Sequence, residues 1–535
     1  MTFFQPGESI GVATTVALAL VAAALTFVVR ALPRRGLVYW GTDTWFHLKM
    51  ADVMRIQGRI PDRVDEFLIG GTYDYPPALP RLLSFLPRRF AERYNRAVSP
   101  LADAVHGSLI FVFATWLWQD PWAGATAVVV YLLTPIAVIE SAELGVRSTG
   151  AMLASVTLVA AILFESSGRW PWAACAMTAF AAAMLFHRMS TQCLAWTLCA
   201  LSALTLQVSY VGIILGGAVL AVVASRGLYI RVLRGHLSEL RFWRRNVHLR
   251  DDGDPMKLIF GSPGQRGDAD SWRRRLRSLY GMIRHHPYVA AVPIVYAAGW
   301  QSSMTQYPFL LWVAAVYAAF AATTHMRPLR FLGQGYRYLG YAALAVSTIT
   351  AGYAANFGQA SWSVHLVIAL LGIIAVRETV GRYQGIRNNS TPAITGDLWS
   401  MLEWVKRSPR DGILCLPLGL ASAVAYFSEK RVLRHCSSQR MDRLSVFYPL
   451  VTRPLGDLAR EFGASYILLD VRFTRREAPV IEGARAIREA GSYRLYEIVG
   501  ESAGNAQVAR SVDAVARLEG QPGLLVQPRT GGQDR

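Results

Sequence analysis

Apolar residues in this chain come in uninterrupted blocks of a length that a lipid bilayer demands. From Ile10 to Val29 no charged residue breaks the run. A hydrocarbon core needs about 20 apolar residues per helix, so these blocks read as membrane spans. They lie at residues 11–31, 103–118, 121–139, 148–164, 170–186, 190–206, 208–225, 288–300, 306–324, 337–353 and 361–376, about eleven in all. The first lacks a basic segment ahead of it and is long for the core of a signal peptide, so it too reads as a span. With 53% hydrophobic residues the chain has a membrane composition. A net charge of +19 raises the question of nucleic acid, but the arginines cluster beside spans instead of forming one soluble basic face. Membrane lipids and lipid phosphates, not nucleic acid, are the expected partners. Of the five cysteines, Cys175, Cys193 and Cys199 fall inside apolar blocks, and Cys415 and Cys436 lack metal-binding spacing, so all read as free thiols.

The expected architecture is a polytopic α-helical membrane domain over residues 1–376 followed by a soluble α/β domain over 377–499. Within the first, residues 33–100 form a long loop rich in Arg, Pro, Tyr and acids. Residues 226–287 form a second, basic loop (Arg241, Arg244, Arg245, Arg273, Arg274, Arg275, Arg277). The tail alternates helix-like stretches (Leu398 to Lys406, Leu455 to Phe462, Val480 to Ala490) with β-rich runs (Gly412 to Leu416, Tyr466 to Leu469, Tyr493 to Ile498). Residues 500–535 are polar and read as disordered. Sidedness is contested: the positive-inside rule puts the loop at 226–287 in the cytoplasm, whereas eleven spans from a cytoplasmic N-terminus put it outside.

Chemistry concentrates in polar clusters at span ends. After the first span come Tyr39, Trp40, Gly41, Thr42, Asp43, Thr44, Trp45, Phe46, His47, Leu48 and Lys49. On a helix Asp43 and His47 share a face. A partly desolvated carboxylate is a natural general base for a sugar hydroxyl, and His47 and Lys49 could meet a lipid phosphate. The plainer reading pairs Asp43 with Lys49 or a loop arginine and makes the aromatics an interfacial belt. Tyr75 lies just ahead of Pro76 and Pro77, which hold an extended segment rigid. Glu140, Glu143 and Arg147 form the next cluster. Arg147 could grip a phosphate, the acids could hold a divalent cation such as Mg or Mn, and a Glu143–Arg147 helix pair is the plain alternative. His187 ends the fifth block, and Arg337 precedes the tenth, as a phosphate ligand or a snorkelling anchor. Under one topology all five clusters share a membrane face, where random anchors would divide.

This pattern resembles the GT-C superfamily of polytopic glycosyltransferases, which use polyprenyl-phosphate-linked sugars, and more distantly the oligosaccharyltransferase catalytic subunit. The residues that carry it are Gly41-Thr-Asp43-Thr-Trp-Phe-His47-Leu-Lys49, Tyr75-Pro-Pro77, Arg147 with its preceding acids, and Gly335-Tyr-Arg337-Tyr338. The resemblance implies that Asp43 is the catalytic base or a metal-linked acid, with Glu140 and Glu143 as its companions at a metal. It implies substrate contacts by His47, Lys49, Tyr75, Arg147, His187 and Arg337, with the donor's lipid phosphate near Arg147 or Arg337. It also implies an inner-membrane protein whose site faces the external or periplasmic side. A Trp-Trp-Asp-Tyr-Gly run, by which oligosaccharyltransferases read an acceptor sequon, is missing. Inverting transfer of a hexose or pentose to a lipid, glycan or cell-envelope acceptor is therefore expected ahead of transfer to protein. A flippase of lipid-linked sugars is the alternative outside enzymes, disfavoured because transporters carry internal repeats and midplane charges.

Overall fold

The computed structural model describes residues 11–37, 39–247, 279–297, 307–355, 362–388, 393–435, 441–443, 445–446, 451–473 and 480–499. Helices occupy every apolar block: α1 (Val12–Ala31), α4 (Arg88–Trp118), α5 (Pro121–Leu132), α6 (Pro135–Ser141), α7 (Arg147–Ser167), α8 (Trp170–Phe186), α9 (Arg188–Thr205), α10 (Ser209–Ala224), α12 (Ala291–Ala297), α13 (Tyr307–His325), α14 (Ala343–Ala355) and α15 (Trp362–Asn388). Among the described residues five helices are long and apolar enough to cross a membrane, or up to seven if two bent pairs each count as one span. The expected eleven crossings are thus not all matched by helices of spanning length. The chain is a multi-pass membrane protein.

Both bent pairs have a local cause. The 65° break between α5 and α6 falls at Pro135, which removes a backbone donor. The 118° break after α10 falls at Arg226 and Gly227, both at positive φ (51° and 83°), where the helical ladder cannot continue. Beyond that break lies α11 (Leu228–Arg245).

Packing in the membrane relies on small residues and satisfied polar groups. On α1, Val12, Leu20 and Val21 are exposed, as lipid-facing residues should be, while Ala22, Thr26 and Arg30 form the buried stripe against α4. Gly107 permits the approach, since a Cβ there would lie 2.4 Å from Thr26 Oγ1. Arg30 pairs with Asp103 at 3.4 Å and donates to the carbonyls of Tyr131 (2.7 Å) and Leu132 (3.2 Å). A buried charge in this setting persists only with such partners.

The residues read as a first loop are in fact folded. They form α2 (Asp43–Gln57), the short strands β1 (Arg63–Val64), β2 (Phe67–Ile69) and β3 (Gly71–Thr72), α3 (Ala78–Ser84) and the start of α4. Strand β2 then joins a mixed sheet built otherwise from β4 (Ile413–Leu416), β5 (Val432–His435), β6 (Tyr466–Asp470), β7 (Ala484–Ala490) and β8 (Tyr493–Ile498). The order is β2-β5-β4-β6-β8-β7, parallel from β2 to β6 and antiparallel thereafter. Helices α16 (Gly396–Arg407), α17 (Ala421–Phe427) and α18 (Leu455–Glu461) complete this unit. A boundary at 376/377 therefore cuts through α15, and the α/β unit draws on both ends of the chain.

One element changes type. The stretch Val480 to Ala490, read as helix-like, contains strand β7, because Gly491 at φ 53° turns the chain into an antiparallel hairpin with β8. Its exposed Arg485, Arg488 and Glu489 suit a charged edge strand. Residues 500–535, expected to be disordered, and Arg273, Arg274, Arg275 and Arg277 lie outside the described residues.

Candidate active site

Helix α2 carries the first-loop acid and is fixed on several sides. Phe46, Met50, Val53 and Met54 pack with Leu398, Met401, Val405 and Val424 of the α/β unit, while Trp45, Leu48 and Ala51 pack with Leu79, Leu83 and Tyr426. The start of α2 is capped from a distant loop: Glu143 accepts the backbone N–H groups of Thr42 (2.9 Å) and Asp43 (3.2 Å). An acid at a helix N-terminus satisfies orphan donors and meets the positive end of the helix dipole. Gly41 is required here. Its φ is 112°, and a Cβ would lie 2.4 Å from Thr44 Oγ1 and 3.1 Å from Glu143. Ser99 anchors the same loop by donating to Glu143 O (2.7 Å) and accepting from the Gly145 N–H (3.2 Å).

These contacts bring the scattered clusters to one cavity of about 280 Å³, lined by Asp43, His47, Tyr75, Glu140, Glu143, Arg147, His187 and Arg337. Added to them are residues that sequence reasoning missed: Arg188, Gln192, Gln334 and, from α11, His236, Glu239, Leu240 and Trp243. The α11 residues recur at i, i+3, i+4 and i+7, a helical face legible in the sequence but masked by its arginines.

Lys49 does not join them. Two residues past His47 on a helix is a rotation of about 200°, and Lys49 instead faces Glu66, Asp52 and Glu429. The plain alternatives change as well: Asp43 pairs with Arg147 at 3.6 Å rather than with Lys49, and Glu143 caps α2 from outside any helix. The three acids suggested for a metal do not assemble into a ligand set. Among the described residues no group of three His, Cys, Asp or Glu side chains could hold an ion, and Glu143 is committed to backbone donors.

Electrostatics separates the two acids beside Arg147. Burial alone would raise Asp43, but Arg147, aided by His47, Arg434 and Arg337, holds its carboxyl below the ordinary range, and 46% of its side chain remains exposed. Burial and the neighbouring Asp43 carboxylate push Glu143 up, opposed by Arg147 and the two backbone donors. Burial drives His47 down to about 4 against the pull of Asp43, so its imidazole is neutral at physiological pH. Arg147 thus favours the charged form of Asp43, while Glu143, bound to two backbone donors, is the structural acid.

A second ion-pair network ties α11 down. Arg188 donates to Asp74 Oδ1 (3.0 Å) and the Asp74 carbonyl on one side and to Glu239 Oε2 (2.6 Å) on the other, and lies 5.4 Å from the centroid of the Tyr75 ring. Arg231 adds a bridge to Asp62 at 2.7 Å. Helix α11 is therefore fastened to the first-loop residues, so the two share a side of the membrane domain. Gly235 meets Asp74 so closely that a Cβ would sit 2.4 Å from Cγ. Gly235→Ala is expected to cost about 1–3 kcal/mol by overpacking, read as a lowered unfolding midpoint in detergent; an unchanged midpoint would show that α11 shifts freely.

No family model and no curated protein matches the chain. Solved structures do. ArnT from Cupriavidus metallidurans bound to undecaprenyl phosphate is 12% identical with a TM-score of 0.56, covering 92% of this chain and 98% of that one. The archaeal oligosaccharyltransferase AglB from Archaeoglobus fulgidus, in complex with an inhibitory peptide and a dolichol-phosphate, is 12% identical with a TM-score of 0.53, covering 86% and 69%. ArnT in the apo state gives 13% and 0.54. Such likeness over nearly the whole chain establishes architecture: the chain has the polytopic fold of these proteins.

Proposed function

We propose that this chain is a glycosyltransferase that moves a sugar from a polyprenyl-phosphate donor to a hydroxyl of a lipid, glycan or cell-envelope acceptor, at the external face of the inner membrane. The observation that carries the reading is one cavity in which an ionised carboxylate, Asp43, faces two guanidinium groups, Arg147 and Arg337. That pairing matches the needs of the reaction. Asp43 accepts the proton of the acceptor hydroxyl as its oxygen bonds to the anomeric carbon. The bond from that carbon to phosphate oxygen breaks, and the phosphate leaves with the electron pair. Arg147 and Arg337 stabilise its charge by planar, multidentate hydrogen bonds. A single displacement of this kind inverts the anomeric centre. ArnT with undecaprenyl phosphate and AglB with dolichol phosphate lend the donor class support, since both ligands are polyprenyl phosphates.

The test is transfer by the purified protein from radiolabelled polyprenyl-phosphate sugars to a lipid extract of the source cells. Label is expected in an extractable lipid or glycan, with one polyprenyl phosphate released per sugar. Label in protein would move the reading to an oligosaccharyltransferase. Donor crossing a proteoliposome with its glycosidic bond intact would move it to a flippase.

A further inference from the structure

His187, Ser190 and Tyr341 form a closed triangle at the cavity wall. Ser190 Oγ lies 2.9 Å from His187 Nδ1, and the Tyr341 hydroxyl lies 3.0 Å from Ser190 Oγ and 3.2 Å from the same Nδ1. Ser190 is fully buried and Tyr341 nearly so. Three elements converge to build it. Gly150 on α7 leaves the room, since a Cβ there would lie 2.1 Å from Ser190 Oγ and 3.2 Å from Nδ1. Trp312 Nε1 holds the backbone by donating to Tyr341 O at 3.2 Å. Tyr341 follows Arg337 on the 3₁₀ helix Gly335–Ala342, so one short element supplies both a cation to the cavity and a hydroxyl to the triangle.

Proton counting assigns the tautomer. The two hydroxyls carry one proton each. If Nδ1 accepts, Tyr341 donates to Ser190 and Ser190 to Nδ1, and both protons are used. If Nδ1 carried a proton, it would donate to one hydroxyl, that hydroxyl to the other, and the last proton would have no acceptor in the triangle. Buried donors left unpaired are costly and rare. With Nδ1 turned to the hydroxyls, Nε2 is the ring atom left for the cavity, beside Arg147 and Arg337.

We infer that Ser190 and Tyr341 are positioning residues that lock His187 as the Nε2–H tautomer, aiming a neutral donor at the phosphate of a polyprenyl-phosphate ligand. This rests on the reading of the cavity as a lipid-phosphate site and adds how that phosphate is held. A neutral donor binds an anion without a third cation, which limits repulsion between Arg147 and Arg337 and leaves the product easier to release.

The test is undecaprenyl phosphate binding to the purified full chain, with ¹⁵N-histidine spectra beside it. The amide nitrogen of a glutamine reaches the Nε2 position and that of an asparagine only the Nδ1 position. His187→Gln is therefore expected to keep affinity within about threefold, and His187→Asn to lose on the order of tenfold or more. Ser190→Ala and Tyr341→Phe should each lose less than the two combined, because either hydroxyl can donate to Nδ1. The wild-type spectrum, assigned by difference from His187→Gln, should show a proton on Nε2. Equal binding by the Gln and Asn variants, or a wild-type proton on Nδ1, overturns the inference. A wild-type protein that binds no undecaprenyl phosphate overturns the function reading itself, whereas wild-type binding that none of these variants alters overturns only the role given to the triangle.

Discussion

Asp43→Asn is expected to lower turnover about 10²–10⁴-fold, the usual worth of a general base, while leaving the fold and donor affinity nearly intact. The amide keeps the size of the carboxylate but cannot take a proton from the acceptor. The lost ion pair with Arg147 matters little to stability, because it is 3.6 Å long and the carboxylate is half exposed. The pH profile adds a second check. The folded carboxyl sits below the ordinary range, so the base is fully formed at neutral pH. Turnover should hold steady on acidification and fail only when the pH drops below that of a free carboxylate. Arg147→Gln removes the nearest cation and should move this acid limb upward. Steady-state transfer from about pH 2 to 8 reads both; Asn at the wild-type rate, or an acid limb that ignores Arg147, removes Asp43 as base.

Arg188→Ala should be the most damaging single change to stability, at about 3–5 kcal/mol, the cost of leaving a buried carboxylate without its counter-charge. Asp74 is completely buried, and Arg188 joins it to Glu239 across the junction between the first-loop residues and α11. The partner charge is the cause, so Arg188→Met combined with Asp74→Asn should recover much of the loss. Unfolding midpoints in detergent for the single and double variants decide it. A single variant as stable as wild type would mean that Asp74 finds another partner, and a double variant no better than the single would place the damage in lost packing over Tyr75 instead.

How far the sequence foretold this arrangement depends on the range of the interaction. Helix positions were legible because a bilayer imposes an apolar run that each block displays locally. Eight of the residues singled out, from Asp43 to Arg337, line the cavity, and they were legible through topology, since span ends on one membrane face have few places to go. Lys49 was misplaced because motif spacing was read without the rotation of the helix. Glu143 was read with its sequence neighbour Arg147, whereas its hydrogen-bond partners lie about a hundred residues away. The cavity face of α11 was overlooked because its charge, more than its periodicity, directed the reading. Strand β2 gave no local signal at all: three residues, Phe67–Ile69, become a strand because β5 offers them an edge.

That pairing bears on the order in which the site can form. Asp43 is made long before Leu398, yet the helix that carries it packs on residues from Leu398 to Leu495, and β2 waits for Val432–His435. Contacts so distant in sequence form late. The membrane helices can insert as they are made, but the seat of Asp43 is finished only when the chain has been translated through Leu495. A product truncated ahead of Val432 would occupy the membrane without a completed cavity.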